Sequence, residues 1–279
     1  MPALPIRSAT FQAAVVAIAV FLCGFLVWTA SADTVDARPA SAAPTPDTTG
    51  QPPGPPTPPP PPLLPAEPPS PPAPPTPPVP TTLQSKVGRT DPGKWVALTF
   101  DDGPWAGYTT QVLDTLDHHA VKAVFCVVGA QAQARPDLIR EIVARGHTLC
   151  NHTMTHDTKM PEHSPEEIRS QMQRTLDAIH AAVPDAAVPW YRAPAGNWAP
   201  HVQEAAAFLG MRSLGWSVDT LDWKKPGVDK ILHTIGQQVT PGGVILLHDG
   251  GGDRTMSVEA LRRLIPDLLA KGYQFTVPV

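Results

Sequence analysis

Of the chain's 37 prolines, 22 lie between Pro39 and Pro80. Proline has no N–H to give and clashes with the preceding helical turn, so no compact domain can place such a run inside helices or central strands. The tract therefore divides the 279 residues into a short head, the tract itself, and a tail of about 200 residues that is long enough for one domain with a real core. Pro58 to Pro62 are five consecutive prolines, and the rest of the tract mixes Pro with Ala, Thr, Ser and Gly. Such a segment has little apolar surface to bury and is expected to stay in solvated polyproline II. Forty-odd residues of it would reach on the order of 130 Å. The expected divisions are residues 1–32, a disordered linker over 33–88, and a folded domain over 89–279.

The head carries an uncharged stretch from Phe11 to Ala30, with Arg7 before it and Asp33 and Asp36 after it. Twenty residues of helix span ~30 Å, the thickness of a bilayer's hydrocarbon core. With the basic side kept in the cytoplasm, the rest of the chain is expected to be exported. Two forms of this expectation stand side by side. Ala30-Ser31-Ala32 suits cleavage of a signal peptide, while the length of residues 11–30 suits a membrane anchor. Either gives a secreted or extracytoplasmic domain. The net charge of −4 argues against a nucleic-acid partner, and three cysteines are too few for a disulfide framework.

In the tail, apolar runs alternate with helical spacing. Lys94–Phe100, Ala123–Val128, His147–Asn151, Trp190–Tyr191, Met211–Val218, Val244–Leu247 and Tyr273–Val277 read as strands. Helices are expected over 108–119, 136–145, 164–182, 200–209, 228–239 and 258–271. Pro136 followed later by Gly146, and the Ser164-Pro165-Glu166-Glu167 start, are helix boundary signals. This alternation predicts an α/β fold with a parallel sheet, for which a closed α/β barrel is a natural form at this length.

Barrel enzymes carry their chemistry on the loops after the strands. Here those positions hold Asp101-Asp102-Gly103-Pro104, His152-Thr-Met-Thr-His156, Arg192-Ala-Pro-Ala195-Gly196, Asp219-Thr-Leu-Asp222-Trp223 and His248-Asp249. Each alone has a plain structural explanation, but all five fall at the same end of the expected strands. One carboxylate and two histidines make a three-ligand site with open positions, the catalytic form for Zn²⁺. Asp102, His152 and His156 are the expected ligands. Such an ion acidifies water and polarises a carbonyl. Asp101 would be the base, with Arg192 keeping it ionised; His248 would be the acid, with Asp222 charging its imidazole. This inventory describes hydrolysis of an amide or ester. Trp105, Tyr108, Trp198 and Trp223 lie beside the motifs and offer faces to sugar rings, although indoles also fill cores.

The stretches LTFDDGP (Leu98–Pro104), NHTMTH (Asn151–His156), RAPAG (Arg192–Gly196), DTLDW (Asp219–Trp223) and ILLHD (Ile245–Asp249) resemble the polysaccharide deacetylases, the NodB-homology domain of carbohydrate esterase family 4. The resemblance covers roughly residues 90–279. It implies a distorted (β/α)7 or (β/α)8 barrel, a divalent metal (usually Zn²⁺, sometimes Co²⁺ or another ion), and removal of acetyl groups from sugars. It gives Asp101, Asp102, His152, His156, Arg192, Asp222 and His248 the roles already derived, and makes Trp223 and Leu247 walls of an acetyl pocket. The expected partner is a chitin-type or peptidoglycan glycan; acetylated xylan and a non-catalytic sugar-binding barrel are the alternatives. Ala195 stands where the family commonly has tyrosine, at a position whose backbone N–H helps hold the oxyanion. Cys126 and Cys150 fall in what would be neighbouring strands, so either a disulfide or two buried thiols is expected.

Overall fold

The computed structural model describes residues 78–279. The segment 11–30 and the proline tract up to residue 77 lie outside the described residues, as do the expectations of a signal peptide or anchor placed on them. Eight strands form one parallel sheet: β1 (Lys94–Asp101), β2 (Val124–Val127), β3 (Thr148–Asn151), β4 (Trp190–Tyr191), β5 (Arg212–Ser213), β6 (Val218–Asp219), β7 (Gly243–His248) and β8 (Tyr273–Phe275). Their order is β5-β4-β3-β2-β1-β7-β6, with β8 paired to the start of β1. Seven helices follow the strands: α1 (Tyr108–His118), α2 (Gly129–Ala134), α3 (Pro136–Ala144), α4 (Pro165–Ala182), α5 (Pro200–Phe208), α6 (Val228–Gln238) and α7 (Thr255–Ala270). This is the curled parallel sheet of a distorted α/β barrel.

Local signals set the starts of α3 and α4 as expected, whereas α2 was not expected and α7 begins at Thr255, three residues before the expected 258. Pro136 opens α3, and the Ser164 hydroxyl accepts the Glu167 N–H at 3.2 Å to cap α4. One expectation is corrected. Met211–Val218 is not one strand but two short ones on opposite edges of the sheet: β5 pairs with β4, and β6 pairs with β7. Leu214 to Ser217 crosses between them, and β5 and β6 are not paired with each other, so the sheet stays unclosed there. A Cβ at Gly215 would stand 2.5 Å from Ser85 Oγ, so a side chain there would have to displace the Ser85 hydroxyl. Residues 84–87, assigned by composition to the linker, pack on the domain. Gln84 N–H donates to the Ser213 carbonyl at 2.9 Å, and Val87 is buried.

Period-two alternation sorts the strand residues into two cores. Val96, Leu98 and Phe100 of β1 and Ile245 and Leu247 of β7 face the helices, where they meet Leu113, Leu116, Leu261 and Ile265. Ala97, Val124, Cys126, Cys150, Trp190 and Val244 fill the inside of the curled sheet. β2 and β3 run in register with Cys126 opposite Cys150, and the two sulfurs are bonded, with Cα atoms 4.1 Å apart. Cys126 is also in register with Asp101 of β1, so the disulfide lies at the end of the sheet where β1 and β3 finish on Asp101 and Asn151.

Candidate active site

The sheet delivers its polar residues to one end. Asp101 is the last residue of β1 and is paired with His248, the last of β7. His152 follows β3, Arg192 follows β4, and Asp222 begins a short 3-10 turn after β6. The alternation that buries Leu98 and Phe100 against helices turns Thr99 and Asp101 inward. Asp102, Thr153, His156, Ala195 and Leu221 all have left-handed backbone, with φ between 54° and 72°. Side chains rarely adopt this region, and such strain gathers at functional sites. Of these, Asp102, His156 and Ala195 open on a cleft of about 720 Å³ that Asp101, His152 and His248 also line.

Asp102, His152 and His156 each offer a donor atom within 4.8 Å of the others. Asp102 Oδ1 is 3.2 Å from His156 Nε2 and 3.6 Å from His152 Nε2. Oδ1 is buried with no hydrogen-bond partner, an unsatisfied position that a cation would fill. His152 Nδ1 lies 2.8 Å from the Arg192 carbonyl oxygen, so Nδ1–H donates there and the Nε2 lone pair faces Asp102. Burial holds the His152 pKa below its ordinary value, against the pull of the Asp101 carboxylate, and so favours the neutral, ligating form. One carboxylate and two imidazoles fit a divalent ion with positions left open.

Asp101 lies beside this group. Burial alone would raise its pKa, but the Arg192 guanidinium, with His152 and His248, outweighs burial and holds the carboxyl below the usual carboxylate range. Arg192 is fully buried. Nη1 donates to Asp101 Oδ1 at 2.7 Å and to Thr99 Oγ1 at 2.8 Å, while Nε and Nη2 donate to the carbonyls of Leu214 and Gly215. Across the cleft, His248 Nδ1–H donates to Asp222 Oδ1 at 2.7 Å. Burial would lower the His248 pKa, yet the Asp222 bond and charge prevail and raise it. Asp222 is itself held below its ordinary value: burial opposes, and the bonds from His248 and Ser257 outweigh it.

The expected substrate residues divide. Trp105, Ala195 and Trp223 line the cleft. Trp198 does not: it packs edge-on against Tyr191, ring centroids 6.0 Å apart, in the cluster under α4 and α5. Leu247 is also corrected. It is fully buried on the helix side of β7, and Leu246 lines the cleft instead. On a strand, only residues two apart share a face, so the neighbour facing with His248 is Leu246. The same count from Asp101 would have found Thr99. Trp216, Gln131, Asp219 and Arg254 also line the cleft. Trp216 faces Gly196, where a Cβ would come 2.8 Å from the indole, and no sequence spacing signals it.

A three-donor cluster between a tethered carboxylate and a carboxylate-charged imidazole is the layout of a hydrolytic centre. Residues 88–214 match the family described as polysaccharide deacetylase. A chitooligosaccharide deacetylase of Sinorhizobium fredii (strain NBRC 101917 / NGR234) is 43% identical over 188 residues, which is 64% of this chain and 87% of that protein. Among solved structures, a peptidoglycan N-acetylglucosamine deacetylase in complex with 4-naphthalen-1-yl-N-oxidanyl-benzamide is 33% identical. It superimposes with a TM-score of 0.65 over 70% of this chain and 90% of that one. A wild-type CE4 family pseudoenzyme from Bacillus anthracis is 29% identical, with a TM-score of 0.64 over 71% of this chain and 67% of that one. The chain belongs to the polysaccharide deacetylase family.

Proposed function

We propose that the domain is a metal-dependent hydrolase that removes N-acetyl groups from N-acetylglucosamine units of a polysaccharide, chitooligosaccharide or peptidoglycan. The observation that carries this reading is the convergence of Asp102, His152 and His156 within 4.8 Å, inside a cleft that also holds Asp101 and His248. The two glycan substrates come from the names of the relatives. The donor set suits Zn²⁺, with Co²⁺ or another divalent ion as a substitute. When bound, the ion supplies Lewis acidity to an acetyl carbonyl and acidifies water. Asp101 takes the proton of the attacking water, and Arg192 holds the carboxylate ionised and aimed. His248 gives a proton to the sugar nitrogen as the C–N bond breaks, leaving acetate and a free amine. Asp222 supplies the negative charge that keeps His248 protonated until then. Trp105 and Trp223 offer rings at the cleft to sugar faces, and Leu246 to the acetyl methyl.

We place the domain outside the cytoplasm, held there by residues 11–30 or released after cleavage. The Cys126–Cys150 bond supports this, because such bonds persist in oxidising compartments.

Acetate release from chitooligosaccharide and from a peptidoglycan glycan tests the reading. The full chain should turn over at least one of them, lose activity to a chelator and recover it with Zn²⁺ or Co²⁺. Asp101→Asn should cost about 10²–10⁴-fold in kcat while metal content is retained. An unchanged rate would exclude Asp101 as the base. An acetylated xylan turned over in preference to both glycans would move the substrate to an ester.

A further inference from the structure

The loop after β7 runs Gly250-Gly251-Gly252-Asp253 into α7 and ends on Arg254, which is 4% exposed yet lines the cleft. The reaction scheme above gives it no role. We propose that Arg254 is a positioning residue that holds one oxygen of Asp102 and so fixes which oxygen faces the metal. This rests on reading Asp102, His152 and His156 as ligands.

The guanidinium is fixed by main-chain acceptors: Nε donates to the Gly250 carbonyl, and Nη2 to the Gly251 carbonyl at 3.2 Å. Held in this way, Nη2 stands 3.9 Å from Asp102 Oδ2. That separation is too long for a hydrogen bond but short for a charge pair with both side chains largely buried. The other oxygen, Oδ1, faces His152 and His156 and has no hydrogen-bond partner. The two oxygens are thus assigned to different neighbours, a cation on one side and the imidazole donors on the other.

The loop's glycines make this approach geometrically feasible. A Cβ on Gly251 would lie 2.6 Å from Asp102 Oδ2 and 3.1 Å from Arg254 Nη2, and one on Gly250 would lie 2.1 Å from the Asp102 carbonyl oxygen. Gly251 also has φ +73°, which a side chain would resist. Without the guanidinium, the Asp102 carboxylate is free to turn about its own bond, and the donor set is no longer arranged in advance. Outer partners of metal ligands are typically worth about 10–100-fold in affinity.

The test is zinc affinity, measured on the full chain by competition with a fluorescent chelator and checked by metal content. Arg254→Met should bind zinc about 10–100-fold more weakly than wild type, and Arg254→Lys, which keeps the charge, should recover most of the loss. Apo-protein melting curves report whether each variant folds. If Met fails to fold, Arg254→Gln takes its place against Lys at the same thresholds. Affinity within threefold of wild type for the uncharged variant overturns the proposal. Equal losses for the charged and uncharged variants overturn it too, because a main-chain clamp would then explain the effect. Either result leaves the hydrolase reading standing. If wild type binds zinc no better than Asp102→Ala, the ligand assignment itself falls, and Arg254 falls with it.

Discussion

Asp222 collects three donors. The His248 ring Nδ1–H and main-chain N–H reach its two oxygens at 2.7 Å and 2.9 Å, and the hydroxyl of Ser257 completes the set. A carboxylate so surrounded stays charged despite burial. Because Nδ1–H is committed to Asp222, Nε2 is the nitrogen left to carry a transferable proton. The sign of the pH effect follows. A raised imidazole pKa keeps the acid protonated to higher pH, so the basic limb of kcat/KM should lie above 6.5, the ordinary value. Asp222→Asn removes the charge, and the limb should move to lower pH with a fall in kcat. A pH–rate profile of the two proteins decides this; an unmoved limb would detach Asp222 from His248. The pairing was legible in the sequence because His248 ends β7 and Asp222 lies in the loop after β6, at the same end of the sheet. Ser257 was not, since it comes from the first turn of α7 and no motif spacing reaches it.

The strand β7 shows how finely an element divides labour between adjacent residues. Leu246 and Leu247 are chemically identical, yet one lines the cleft and the other packs against the helices. Leu247→Ala should therefore cost about 2–5 kcal/mol of stability through a core cavity. Leu246→Ala should change substrate affinity or turnover more than stability. Denaturant unfolding and Michaelis kinetics on both variants separate the two effects; the reverse pattern would mean that the faces had been exchanged. The sequence marked β7 as a strand, and the family resemblance implied Leu247 as the wall, although His248 two residues past Leu246 fixes the face. The split of the expected Met211–Val218 strand had no comparable cue. An apolar run reads the same whether it pairs on one edge or crosses between two, and only the partners β4 and β7 decide.

At the scale of the whole molecule, the alternation of strands and helices announced the fold, because each parallel strand needs a crossover to return to the same end of the sheet. What the alternation lacked was register. Cys126 and Cys150 could be put in neighbouring strands from sequence, but their bonding depends on their standing directly opposite each other. The bond closes a loop with a sequence separation of 24, for which chain entropy gives a stabilisation of about 3.5 kcal/mol. Cys126→Ala/Cys150→Ala should lose roughly that much in chemical denaturation. Wild type unfolded under strong reductant should approach the same value, and identical curves with and without reductant would show that the bond is absent from the native protein.

The unclosed edge of the sheet bears on how one residue can be studied at all. Arg192 ties the crossing segment to β1 across the inside of the sheet: two of its nitrogens sit on the carbonyls of Leu214 and Gly215, while a third steadies Asp101. A single guanidinium is at once a rivet in the architecture and a part of the machine. Removing it strands a buried negative charge and opens the frame together, at a cost of about 3–5 kcal/mol for the broken pair alone. Mutagenesis at position 192 should therefore yield few soluble, merely slower enzymes: any lineage that discards this arginine must first rebuild the joint.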